Sequence, residues 1–181
     1  MTAGVLVLVV GPSGAGKDTL IAAARAKLND EARFVFPRRI VTRAGSAFED
    51  HETLTAEKFA AIAEAGGFAL HWHAHGLSYG VPRAIDDLIS AGKIVVCNVS
   101  RGAIDAAHTR FDRVVVIYIG ATPEVRASRI AARGRDAAAG SRVDSTRADV
   151  APADYEAIID NSGPLAPAIA AFTQALIDIV A

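Results

Sequence analysis

The run Val5-Leu6-Val7-Leu8-Val9-Val10 opens directly onto Gly11-Pro12-Ser13-Gly14-Ala15-Gly16-Lys17. This junction constrains the fold more than any other stretch. Six consecutive apolar residues without alternation suit a strand covered on both faces, as parallel strands usually are. Asp18 to about Leu28 reads as the helix that follows. The glycines let the backbone wrap an anion closely, with successive N–H groups converging as a nest. The helix N-terminus adds partial positive charge at the same point. Lys17 is then placed to reach the outer phosphates of a nucleotide. The alternative is a glycine-rich turn before an ordinary helix. Strand, GxxxxGK spacing and helix together favour a phosphate-binding site made of Gly11, Pro12, Ser13, Gly14, Ala15, Gly16 and Lys17, continuing into Asp18 and Thr19.

Asp18 is unusual. The residue after the lysine is ordinarily Ser or Thr, whose hydroxyl meets a magnesium ion. A carboxylate in a first helical turn suits the dipole, which is one reading. The other is a magnesium ligand, direct or through water, since Mg2+ is commonly held by one or two carboxylates plus substrate phosphates. Such sites usually draw an Asp from a later apolar strand. The candidate strand, Ile94 to Ser100, has no carboxylate, so the metal's anionic partner is expected at Asp18. Thr19 does not replace the missing hydroxyl, because one residue of slip turns a helical side chain by ~100°.

Strands and helices alternate along all 181 residues. Strands are expected at Val5–Val10, Phe34–Phe36, Arg39–Thr42, Phe68–His75, Ile94–Val99, Val114–Ile119 and Tyr155–Ile159. Helices are expected from Ala56, with Thr55 as N-cap and Gly66-Gly67 as stop, from Pro82 to near Gly92, from Pro123 to about Arg133, and from Pro164 to Val180. The pattern predicts one α/β domain on a parallel sheet, with mobile insertions at about 37–82 and 134–150. Apolar residues make up 51% of the chain and the net charge is −1, which speaks against nucleic-acid and membrane partners. The apolar start is too short to span a bilayer and has no cleavage signal, so the cytoplasm is expected. The single cysteine, Cys97, excludes an internal disulfide and sits in an apolar run as a buried thiol.

A phosphate loop binds a nucleotide but does not say what receives the phosphate. The first insertion offers Arg38, Arg39 and Arg43, then FALHWHAHGLSYGVPR, with His71, His73, His75, Tyr79 and Arg83. The three histidines would share one face of a strand, with neighbours roughly 6–7 Å apart and parallel rather than converging. That spacing disfavours zinc and suits a polar wall or an exposed edge. Trp72 points the other way and reads as core. Six of the 15 arginines fall between Arg126 and Arg147. Arg126, Arg129 and Arg133 share a helix face, and Arg133, Arg135 and Arg142 are candidates to meet transition-state charge. No side chain stands out as a general base.

GPSGAGKDTL, followed some sixty residues later by SYG, resembles the guanylate kinase superfamily. The resemblance implies a three-layer P-loop NTPase fold with an inserted acceptor-binding lobe (about 37–82), an arginine-rich lid (about 134–150) and a core at 1–36 and 83–181. It places phosphate-gripping roles at Arg43 and Tyr79. It puts a second arginine where Ser46 stands, and the guanine-reading glutamate where Leu70 stands. A leucine cannot accept the guanine N–H bonds. The chain is more closely similar to the ribose 1,5-bisphosphate phosphokinases of bacterial phosphonate breakdown. It shares GPSGAGKD, RRIVTR, WHAHGLSYGV, VVCNVSR, ARGRD and DNSG with them. That resemblance implies ATP and Mg2+ as donor and cofactor and ribose 1,5-bisphosphate as acceptor. It implies acceptor contacts from Arg39, Arg43, His73, Tyr79 and Arg101, a catalytic set of Lys17, Arg133, Arg135 and Arg142, and an adenine contact from Asn161. A divergent guanylate kinase and a noncatalytic guanylate-kinase-like binding module are the alternatives.

Overall fold

The computed structural model describes residues 4–42, 51–132 and 155–179. Strand β1 (Val5–Val10) is buried along its whole length, as an unbroken apolar run requires. Helix α1 (Lys17–Lys27) follows the phosphate loop. Next come β2 (Phe34–Val35), β3 (Arg39–Val41), β4 (His51–Thr53) and helix α2 (Ala56–Glu64). Strands β5 (Phe68–Ala74) and β6 (Leu77–Pro82) precede α3 (Ile85–Ser90), β7 (Ile94–Asn98) and a 3-10 turn (Arg101–Ala103). The remaining elements are α4 (Ile104–Arg110), β8 (Val114–Gly120), α5 (Pro123–Ala132), β9 (Ala157–Asp160) and α6 (Leu165–Asp178).

The strands form two sheets, one of five in the order β2-β7-β1-β8-β9 and one of four in the order β4-β3-β6-β5. In the first, β2 pairs with β7 and β8 with β9 in parallel, so this is the parallel sheet of an α/β fold. The chain groups into two compact units, and the division falls within β1 and β8.

One unit holds the chain up to Leu8 and Glu31–Val115. Its smaller sheet is built on the β5–β6 hairpin. Ala74 pairs with Leu77, and His75 and Gly76 make the two-residue turn with φ of 53° and 73°. Positive φ at both central residues matches the twist of the flanking strands. Helix α2 begins where the Thr55 hydroxyl accepts a bond from the Lys58 amide. It covers one face of this sheet, where Phe59 stacks on Phe68 at 4.5 Å beside Ile40. A Cβ on Gly80 would lie 2.6 Å from the Phe68 ring, so the glycine after Tyr79 is required by packing.

The other unit holds Val9–Asp30 and the chain from Val116 onward. Here α6 packs against α1 and β9. Leu20 and Ala24 of α1 and Phe172 and Leu176 of α6 are buried with Ile117, Ile119 and Ile159.

Several expectations need correction. Pro82 closes β6 instead of opening a helix, which starts at Ile85. Strands β4 and β6 were not expected. His75 leaves the strand for the turn, so only His71 and His73 continue the alternation. Trp72 is half-buried and stacked on Tyr79 instead of lying in a core.

Candidate active site

The phosphate loop is shaped by close approaches that only glycine allows. Gly11, Gly14 and Gly16 have φ of 145°, 81° and 91°. A Cβ would fall 2.0 Å from the Ile119 carbonyl oxygen at Gly11 and 2.8 Å from that of Arg126 at Gly14. At Gly16 it would fall 2.5 Å from the Asn161 amide nitrogen. The glycine spacing thus serves the loop's back as well as its mouth. Lys17 folds over its own loop, where Nζ donates to the carbonyls of Gly11 (2.7 Å) and Pro12 (3.1 Å). Asp18 lies half-buried in the first turn of α1, and Thr19 is exposed.

Behind the loop, Asn161 Nδ2 donates to the Ala15 carbonyl at 2.8 Å. Arg129 donates to the same oxygen at 3.4 Å and to the Asn161 carbonyl at 2.9 Å. Arg129 was expected only as part of a charged helix face; it braces the loop from behind. The turn carrying Asn161 is itself pinned. The Ser162 amide and hydroxyl both donate to Asp160, and the Thr122 amide donates to the Ser162 hydroxyl. The Ser162 hydroxyl, then its amide, hold the Asp160 carboxyl below the usual carboxylate range.

In the other unit, the register Leu70↔Val81, Trp72↔Tyr79 and Val41↔Tyr79 puts these residues on one face of the smaller sheet. Arg39 joins them by alternation with Val41. The Trp72 and Tyr79 rings lie parallel, 5.5 Å apart and within 5°. The Arg39 guanidinium sits 5.7 Å from the Tyr79 centroid. A tyrosine is thus flanked by a cation on one side and an indole on the other. Leu70 and Val81, 4% and 2% exposed, form the apolar end of this face. His73 lies on the opposite face, its Nδ1 2.8 Å from the Ser78 hydroxyl. The turn carrying Arg101 contacts β5.

Two other arginines are committed locally. Arg38 donates to the His51 carbonyl, and Arg83 to that of Gly66 while facing Asp86. Arg43, Arg133, Arg135 and Arg142 lie outside the described residues, as do Ser46 and the expected lid. Among the described residues no cluster of three or more His, Cys, Asp or Glu forms a metal cage, and no helix is long and apolar enough to cross a membrane. Burial pushes the Cys97 thiol up to about 12, so it is an inert core group.

No protein-family model matches the chain. Among curated proteins it is 54% identical to ribose 1,5-bisphosphate phosphokinase PhnN of Rhodopseudomonas palustris over 91% of this chain and 84% of that one. It is also 54% identical to the PhnN protein of Methylobacterium radiotolerans, over 73% and 75% of the two chains. Among solved structures, guanylate kinase from Anaplasma phagocytophilum superposes with a TM-score of 0.71. The match covers 98% of this chain and 87% of that one at 19% identity, a likeness of fold alone. The fold is thus that of a P-loop kinase, and the sequence relatives separate it from the guanylate kinases. This chain, a phosphotransferase, belongs to the ribose 1,5-bisphosphate phosphokinase family.

Proposed function

We propose that the chain transfers the γ-phosphoryl group of ATP to the 1-phosphate of ribose 1,5-bisphosphate, releasing ADP and 5-phosphoribosyl 1-diphosphate. An oxygen of the 1-phosphate attacks the γ-phosphorus as the bond from that phosphorus to the bridging oxygen of ADP breaks. The attacking oxygen is already anionic near neutral pH, since a phosphate monoester loses its second proton near pH 6. This fits the absence of an evident general base. The work left to the protein is positioning and charge stabilisation. The loop amides and Lys17 serve the donor phosphates. Arg39 and Tyr79 serve the acceptor, with Arg43 and Arg101 in support; His73, expected there too, lies on the opposite face of the smaller sheet beside Ser78 and is left out of this set. Arg133, Arg135 and Arg142 are assigned to the transferring group. Asn161 was expected at the adenine, but its amide is bound to Ala15.

The observation that carries this reading is the face bearing Arg39, Tyr79 and Trp72. It offers a cation and two rings beside a hydrocarbon end, Leu70 and Val81. Leu70 and Val81 are buried hydrocarbon, so that end holds no polar group for a purine edge, whereas Arg suits a phosphate. The chemistry of Asp18 fits magnesium. A half-buried carboxylate beside the phosphate nest matches an ion that takes most of its ligands from phosphate oxygens and water. When bound, Mg2+ would neutralise charge on the β- and γ-phosphates.

The decisive experiment offers the enzyme ATP and Mg2+ with either ribose 1,5-bisphosphate or GMP. Formation of 5-phosphoribosyl 1-diphosphate, with GMP left unphosphorylated, is the expected result. Faster turnover of GMP would overturn the reading. For Asp18, replacement by Asn is expected to raise the magnesium concentration that gives half-maximal rate. An unchanged magnesium profile would remove Asp18 from the metal site.

A further inference from the structure

We infer that Asn161 is a positioning residue for the phosphate loop, setting the direction of the Ala15–Gly16 peptide, and does not read the nucleotide base. The inference rests on the proposed binding of a nucleoside triphosphate at this loop. Asn161 is 1% exposed, which is rare for an asparagine and makes the bond of its side-chain amide costly to lose. Its side-chain amide donates to the Ala15 carbonyl at 2.8 Å, and Gly16 presses so close that a Cβ would strike the same nitrogen. The residue is fixed from its backbone too. Its own N–H donates to the Gly120 carbonyl at 2.8 Å, and its carbonyl accepts from Arg129 at 2.9 Å.

The consequence follows from peptide geometry. In a trans peptide the C=O and the following N–H point in opposite directions. There are no cis bonds among the described residues. Drawing the Ala15 carbonyl back to Asn161 and Arg129 therefore turns the Gly16 N–H to the other side, toward the nest. The two donors behind the loop aim one of the amides in front of it.

The side-chain oxygen supports this reading over base recognition. Oδ1 is sealed from solvent and has no hydrogen-bond partner among the described residues. Flipping the amide would set Oδ1 against the Ala15 oxygen, so the orientation is fixed by chemistry. An adenine amino group could reach the sealed Oδ1 only if the chain packed around it opened.

The test compares binding of ATP, GTP and inorganic tripolyphosphate to the full chain and to Asn161→Asp, which keeps the shape but loses the donor. Steady-state kinetics with ribose 1,5-bisphosphate accompany the binding. All three polyphosphates should weaken by the same factor, on the order of 10–100-fold, with the KM for ribose 1,5-bisphosphate unchanged. A loss confined to ATP would make Asn161 a base reader and overturn the inference. Unchanged binding of all three would overturn it as well. Should Asn161→Asp fail to fold, Arg129→Lys removes the fork that reaches both carbonyls. Uniform weakening there supports the inference, and base-selective weakening overturns it. A wild-type chain that binds the three polyphosphates but leaves ribose 1,5-bisphosphate unchanged would overturn the proposed reaction. The comparison would still decide the role of Asn161.

Discussion

Lys17 Nζ lies 2.7 Å from the Gly11 oxygen and 3.1 Å from that of Pro12, which holds its charge over the loop. Lys17→Ala should lower kcat by roughly 10²–10³-fold, the usual cost of removing a donor from transition-state charge. A melting temperature close to wild type would show that the loss is chemical. Trp72 predicts a different signature. Stacked aromatic pairs contribute about 0.5–1.5 kcal/mol beyond the area they bury. Trp72→Ala should therefore raise the KM for ribose 1,5-bisphosphate by roughly two- to tenfold and leave the KM for ATP alone; a shift in the ATP value instead would remove Trp72 from the acceptor face. The place of Lys17 over the loop was legible from spacing, because that loop is its neighbour in sequence. Asn161 and Arg129 were not legible as loop braces, since 146 and 114 residues separate them from Ala15. Alternation put Trp72 opposite the histidines but did not say which face was covered. That depended on β6, which brings Tyr79 to Trp72.

At the scale of elements, β1, α1, β7 and β8 were legible because each is a continuous apolar run or a helix with a clear start. Strand β6 was not. It contains Gly80 and ends on Pro82, and both residues argue against a strand in isolation. They are tolerated because Gly80 admits the Phe68 ring and Pro82 is the terminal position. The hairpin was hidden for a related reason, as histidine is not a usual residue for a turn with positive φ. Helix α2 was read correctly down to its cap, because Thr55 precedes the first helical residue. Thr55→Ala removes the bond to the Lys58 amide and should cost about 1 kcal/mol, seen as a lowered midpoint in urea. Glu57 strengthens the same end. Its own backbone N–H, and then the Thr55 hydroxyl, hold its carboxyl below the usual range.

For the whole molecule, Cys97 offers an internal reporter. It lies on β7, which pairs on both sides within the five-stranded sheet, and it is buried. Its thiol is raised by burial from 9.0 to about 12. A thiol reagent at neutral pH should therefore label it only through opening of the sheet, at a rate that follows unfolding. Fast labelling of the native protein would contradict that placement. The same group gives stability a pH dependence with a definite sign. Above pH 9 the unfolded chain releases the thiol proton while the folded chain keeps it, so the folded state binds more protons. Stability is then lost as pH rises between 9 and about 12. Cys97→Ala removes the ionisable group and leaves a small cavity. It should lower stability at pH 7 yet flatten the decline above pH 9. Denaturant midpoints measured at both pH values would show this crossing, and parallel declines in the two proteins would place the alkaline loss elsewhere.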